Sequence, residues 1–334
     1  MRKSLTWAAV GTTVAVAALS SVAAGAANAS TTPKVTLSIH DNGSSVNAGS
    51  SAVISGTLSK GSTVLGNELV KLDTVGLKGK LTPVADTHTG AKTGDVSFKV
   101  TPHATTAYEL VFPGARGLAY AHSGTVKISV KKLSDALSIS TPTTPVTVGT
   151  KETFTGTLVS GTTPLAGRTV ELWTENSKKQ RVHEVGHGTT SATGTVSIST
   201  TPPAGTDWYA LVYGGDWKYK ATVSGIETVK VNKVATTLTL SSSATAPVAK
   251  NTHVELTATL TAGTADLAKQ TVVLQVLTSK GWVNADGGAA TTGSNGTHVF
   301  TKAPSVTTSY RVHYLGTSTT YAAAYSATVV VTIG

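Results

Sequence analysis

Hydrophobic and polar positions alternate along most of this chain. Tyr209, Leu211 and Tyr213 fall on one face of an extended segment, and Ala210 and Val212 fall on the other. Val126, Ile128 and Val130 alternate in the same way with Lys127 and Ser129. This period of two predicts strands with one buried and one solvated face. Turn-forming clusters separate the strands: Asp41-Asn42-Gly43, Pro113-Gly114, Gly214-Gly215-Asp216, Asp286-Gly287-Gly288 and Ser294-Asn295-Gly296. Past the N-terminal segment, no stretch long enough for a stable helix carries an apolar stripe of helical period. An all-β chain is expected.

The alternation comes in three copies. Gly56-Thr57-Leu58, Gly156-Thr157-Leu158 and Ala258-Thr259-Leu260 occupy matching places. They are followed by Leu65, Leu165 and Leu267, and then by Leu72, Leu172 and Leu274. Gly94, Gly194 and Gly296 each open a strand-like run, and Tyr108, Tyr209 and Tyr310 each start an apolar one. Each copy ends on a serine (Ser123, Ser224, Ser326) and a last apolar residue (Val130, Val231, Ile333). One order and nearly one spacing throughout predict units at 30–133, 134–233 and 234–334. Each unit holds about seven short strands in a two-sheet antiparallel sandwich.

The first 29 residues read differently. Arg2 and Lys3 precede an apolar run from Leu5 to Ala24, and Ala27-Asn28-Ala29 is a small-x-small cleavage site. That is the form of a secretory signal peptide (1–29), so a secreted, extracellular protein is expected, either released or held non-covalently at the cell wall. The chain has no cysteine, which excludes thiol catalysis, cysteine-based metal sites and disulfides. Each unit must then rely on its own hydrophobic core. The formal net charge is +10; Arg2 and Lys3 of the signal peptide supply +2, and units one, two and three carry +5, +1 and +2. A mild basic excess outside the cell suits anionic wall polymers, but the charges are scattered and point to no nucleic acid. No membrane span is expected in the mature chain.

The repeats resemble bacterial immunoglobulin-like domains of secreted and surface proteins. The likeness rests on G-x-L in an early strand, on Leu-Ala-Gly-Arg-Thr-Val-Glu-Leu at 165–172, and on Thr190 to Gly194 before a strand. It rests also on Tyr-x-Leu-Val-Tyr-Gly-Gly-Asp-x-x-Tyr-x-x-x-x-Ser at 209–224. It covers nearly all of 34–333, best in unit two. Unit one departs most, with Phe112-Pro113-Gly114-Ala115-Arg116 in place of the Tyr-Gly-Gly-Asp stretch. The resemblance implies three tandem Ig-like sandwiches acting as a spacer, stalk or adhesion module, with no shared catalytic site and no cofactor. With joints at 131–135 and 232–235, a semi-rigid arm is expected.

One motif argues otherwise. His183-Glu184-Val185-Gly186-His187 fits the H-E-x-x-H pattern of zinc proteases, in which a helix brings both imidazoles to one metal. On a strand the two would stand about 13 Å apart. Gly186 and Gly188 oppose a helix. Counting back from the strand-opening glycines sets His183 opposite Pro83 and Ala285, and His187 opposite Thr87 and Ala289. No catalytic residue and no metal site are therefore expected, and His183, Glu184 and His187 stay as the outlying metal candidates. The best places for a ligand are Asp216, Trp217 and Tyr219 in a glycine-rich loop, facing a cell-wall glycan, an anionic polymer or another surface protein.

Overall fold

The computed structural model describes residues 34–141 and 145–334; the predicted signal peptide lies outside them. The described chain is built of strands, with one 3-10 turn at Leu77–Gly79. It has several antiparallel sheets and is a tandem β-sandwich protein. Two compact units are distinguished by contact. Of the described residues, the first holds those up to Asn42, Val53–Val100 and Ala107–Lys127; the second holds Gly43–Ala52, Thr101–Thr106 and those from Ile128 to Gly334.

The long strand Ala52–Lys60, which enters the first unit at Val53, pairs with Val35–Leu37, His40–Asp41, Thr63–Val64 and Asp95–Val100. A second ladder runs through Thr106–Phe112, Leu69–Val75 and Leu81–His88. The second unit contains two separate hydrophobic cores, one drawn from residues 137–231 and one from residues 238–331. Around the earlier core, Glu152–Ser160 pairs with Ala136–Leu137 and Thr195–Thr200. The facing sheet runs Val146–Thr147, Glu227–Asn232, Gly205–Tyr213, Thr169–Glu175, Arg181–Thr189. Around the later core, Val254–Ala262 pairs with Thr237–Ser242 and Thr297–Lys302, facing the ladder Gly281–Thr291, Thr271–Thr278, Thr308–Tyr314.

The period-two pattern explains the cores. Phe154, Leu158, Val170, Leu172 and Leu211 have no exposed surface, as have Leu256, Leu260, Val272, Leu274 and Val312. Each fully buried aliphatic side chain is worth about 2 kcal/mol.

The repeated polar landmarks are structural. Thr89, Thr190 and Thr292 are buried, and each hydroxyl donates to the carbonyl of Leu65, Leu165 or Leu267 at 2.6 Å. The same oxygens accept the backbone N–H of Glu68, Arg168 and Gln270 at 2.9–3.0 Å. The closing serines do likewise: Ser123, Ser224 and Ser326 accept the N–H of Leu110, Leu211 and Val312 at 2.9 Å. Backbone groups that the sheet ladders leave unpaired are thereby satisfied.

One landmark differs for a steric reason. A Cβ on Gly156 would lie 2.4 Å from Leu211 Cδ1 and 2.5 Å from the Ser138 carbonyl oxygen; Gly56 faces Leu110 and Ser38 in the same way. At both places the first strand is interrupted, and Ser38 or Ser138 bonds Thr57 or Thr157 through its hydroxyl. In the third copy Ala258 stands there, Val312 replaces the leucine, and Thr237–Ser242 pairs without a break. The methyl that two copies carry on leucine sits on alanine in the third.

Candidate functional site

His183, Glu184 and His187 lie on Arg181–Thr189, which among the described residues pairs only with Thr169–Glu175 and forms the edge of its sheet. The register shifts between Leu172 and Trp173, leaving Val185 bulged. Val185 packs on the core, and a Cβ on Gly186 or Gly188 would come within 2.9 Å of Ile198 or Val196. Adjacent residues 185 and 186 thus both face inward. The bulge turns Glu184 and His187 to one outer face, where His187 Nδ1 lies 3.2 Å from Glu184 Oε1. His183 keeps the inward sense of Val185. The two imidazoles therefore do not share a face, as a plain strand would have had them do. Among the described residues no three His, Asp or Glu side chains group as metal ligands. The glycines are explained by the close approach of the two sheets, and the charged outer face suits an exposed edge strand.

The internal alignment needs a correction. His183 pairs with Thr174, and the equivalent Thr74 and Val276 pair with Thr82 and Val283. His187 pairs with Glu171, and the equivalent Lys71 pairs with Asp86. The counterparts are thus Thr82, Val283 and Asp86, not Pro83, Ala285 and Thr87. The turn between Thr89 and Gly94 is one residue longer than that between Thr190 and Gly194, and Gly287 and Gly288 sit in a wider bulge.

The loop at 214–220 is engaged internally. Asp216 Oδ1 accepts the N–H groups of Lys218 and Tyr219 at 2.7 Å, and Oδ2 pairs with Arg168 at 2.9 Å. Burial alone would raise the Asp216 carboxyl; the two N–H groups, the Tyr213 phenol and Arg168 outweigh it and hold it below the usual aspartate range. Tyr213 is pushed up to about 12, first by burial and then by the Asp216 charge. Tyr219 is buried in the core, with Arg168 over its ring at 5.5 Å. Trp217 is 44% exposed and stacks on His103 with centroids 4.2 Å apart. Of the three proposed ligand contacts, only Trp217 presents open surface.

What the loop holds is chain. Leu133 donates its N–H to the Lys218 carbonyl and accepts from the Lys220 N–H, at 2.8 and 3.0 Å. Val234 does the same with Thr320 and Ala322, at 2.8 and 2.9 Å. Thr317 takes the part of Asp216: its hydroxyl accepts the N–H groups of Thr320 and Tyr321. Gly215 and Gly316, at φ +75° and +77°, make the turn, and a Cβ on either would meet backbone within 3 Å.

Two clusters escaped the sequence. Arg311 lies 4.4 Å from the ring centroids of both Trp282 and Tyr325, and His313 stacks on Tyr325 at 3.9 Å. Across-strand contacts such as these carry no local signal. The other cluster is a cleft of about 550 Å³ in the earlier sandwich of the second unit, lined by Glu175, His183, Val185, Pro203, Asp207 and Trp208 among others. Its two carboxylates are 32 positions apart in sequence.

No protein-family model matches the chain, and no curated protein sequence does. Among solved structures it is similar to a tetra-tandem repeat in the extending region of a large adhesion protein. That likeness has 16% identity and a TM-score of 0.39, and covers 89% of this chain and 74% of the other. It is also similar to trypsin-activated alpha-2-macroglobulin from Escherichia coli (10% identity, TM-score 0.25) and to a mutant of the Salmonella protein (13%, 0.24). It covers 23% of each of those two chains.

Proposed function

We propose that this is a secreted, non-catalytic structural or adhesive protein. After a signal peptide (1–29), three immunoglobulin-like modules at 30–133, 134–233 and 234–334 serve as a spacer or surface-interaction arm. The observation that carries this is the capture of Leu133 and Val234. The strand Ala121–Lys131 ends two residues before Leu133, and Glu227–Asn232 ends two residues before Val234. One residue therefore separates the last strand of a module from a residue bonded into the next: Lys132 in the first case and Lys233 in the second. Lys233 is itself tied, its Nζ donating to the Thr317 carbonyl at 2.6 Å. The second of these connections joins two sandwiches of one compact unit and leaves them little torsional freedom, which is what a distance-setting arm requires.

The absence of cysteine makes the test direct. Spin labels on Val223→Cys and Val299→Cys, at surface positions 47% and 46% exposed, report the distance between the second and third modules. A single narrow distribution is expected. A broad one, like that of flexibly linked domains, would remove the arm. Adhesion is tested by retention on purified wall material at low salt.

A further inference from the structure

We propose that the cleft of the 134–233 sandwich is a binding site for an alkylammonium group: a protonated amine carried on an apolar stem. This is independent of the joints and of the arm they support. Glu175 is 8% exposed, and its Oε2 is buried without a hydrogen-bond partner. Arg181 lies across the ladder from it but sends its guanidinium 5.7 Å over Trp173 instead. One oxygen of this carboxylate is thus withdrawn from water with no partner in the fold, so its presence calls for a reason.

The scaffold supplies no such reason. At the place of Glu175 the other copies have Val75 and Leu277; at Asp207 they have Thr106 and Thr308; at Trp208 they have Ala107 and Ser309. The same strands fold with apolar or neutral residues at all three positions. Glu175 and Trp208 are cross-strand partners, and Asp207 is the next residue. Burial raises the Asp207 carboxyl, as expected of a group on the wall of a partly closed cavity.

The chemistry of the walls selects the occupant. Two carboxylates exclude an anion and favour a cation. The half-buried Trp208 also lines the cleft, and an indole is a favourable neighbour for an ammonium head. Val185 and Pro203 offer apolar contact for several methylenes. A free alkylamine and a lysine side chain of another protein share this chemistry.

The test is a titration of the ¹⁵N-labelled protein, observed at the Trp208 indole N–H and the backbone amides of Glu175 and Asp207. The probes are n-pentylamine, 1-pentanol and Nα-acetyl-lysine methylamide. Pentylamine or the lysine derivative is expected to shift these signals, and pentanol is not. The tighter of the two identifies the source as a small amine or a side chain. The double variant Glu175→Gln with Asp207→Asn is expected to weaken binding at least tenfold. Glu175→Leu, which installs the residue of the third copy, is expected to abolish binding while leaving the rest of the spectrum in place. Equal shifts with pentanol would overturn the proposal. So would unchanged affinity in the double variant, or no shift at roughly 50 mM amine, a concentration that saturates a millimolar site.

Discussion

Where the strand Thr169–Glu175 ends, the earlier sandwich of the second unit buries a carboxylate; in the later one, Thr271–Thr278 carries Leu277 at the same place, 47% exposed. The two sandwiches agree elsewhere to the level of single hydroxyls. Thr190 and Thr292 make the same pair of bonds, and so do Ser224 and Ser326. Asp216 and Thr317 hold the same turn with different chemistry. Residues that satisfy the backbone are thus repeated, whereas those that line a cleft or face solvent vary. A feature present in one copy and dispensable in its twin is a sign of something other than folding.

The comparison can be broken at its tightest contact first. Gly156→Ala is expected to destabilise the earlier sandwich by about 3 kcal/mol, since the new methyl meets both Leu211 and backbone. Adding Leu211→Val should return only part of this, because the Ser138 carbonyl remains in the way. Ala258→Gly in the later sandwich should cost only about 1 kcal/mol, mainly through backbone entropy. Denaturant unfolding measures all three, and equal losses in the two sandwiches would contradict the steric account.

The threonines come next. Thr190→Val and Thr292→Val each strand a buried carbonyl and a part-buried N–H, and each should cost about 2 kcal/mol. A difference between them well beyond the error of the measurement would show that the shared geometry hides different energetics.

The loop gives a smaller effect with a pH signature. Asp216→Ala should cost about 1 kcal/mol near neutrality, and Asp216→Thr, which copies Thr317, should recover most of it. The folded Asp216 carboxyl lies below its ordinary value of 3.8. Its contribution is therefore present above that value and is lost as the pH falls through the lowered folded value. The gap between wild type and Asp216→Thr should close in acid, and a gap that widened there would reverse the sign. The smallest change is expected on the outer edge. Glu184→Gln removes an exposed contact with His187 and should leave thermal unfolding unchanged, within about 0.5 kcal/mol.

How much was legible beforehand follows from range. Alternation, turn residues and the threefold spacing are read from neighbours in sequence, so the all-β class and the sandwich architecture were available without coordinates. The extended state of 183–187 was available too, from Gly186 and Gly188. The outward turn of His187 was not, because the bulge at Val185 depends on which residues of Thr169–Glu175 lie opposite. Asp216, Trp217 and Tyr219 drew notice as a polar and aromatic run in a glycine loop; that the loop grips Leu133 depends on residues some 80 positions away. Glu175, Asp207 and Trp208 could have been found by setting the copies side by side, as departures from valine, leucine, threonine, alanine and serine.

By itself, then, the amino-acid order determined the strands, their threefold recurrence and the lack of any thiol chemistry, since each is encoded within a few residues or in composition. Only the tertiary structure decided which groups meet across strands: the split of the two histidines, the docking of the joints and the unpaired carboxylate beside Trp208. Pairing register and sheet-to-sheet approach bring together side chains that lie far apart along the chain, and a shift of one residue at a bulge reverses the face on which each of them stands.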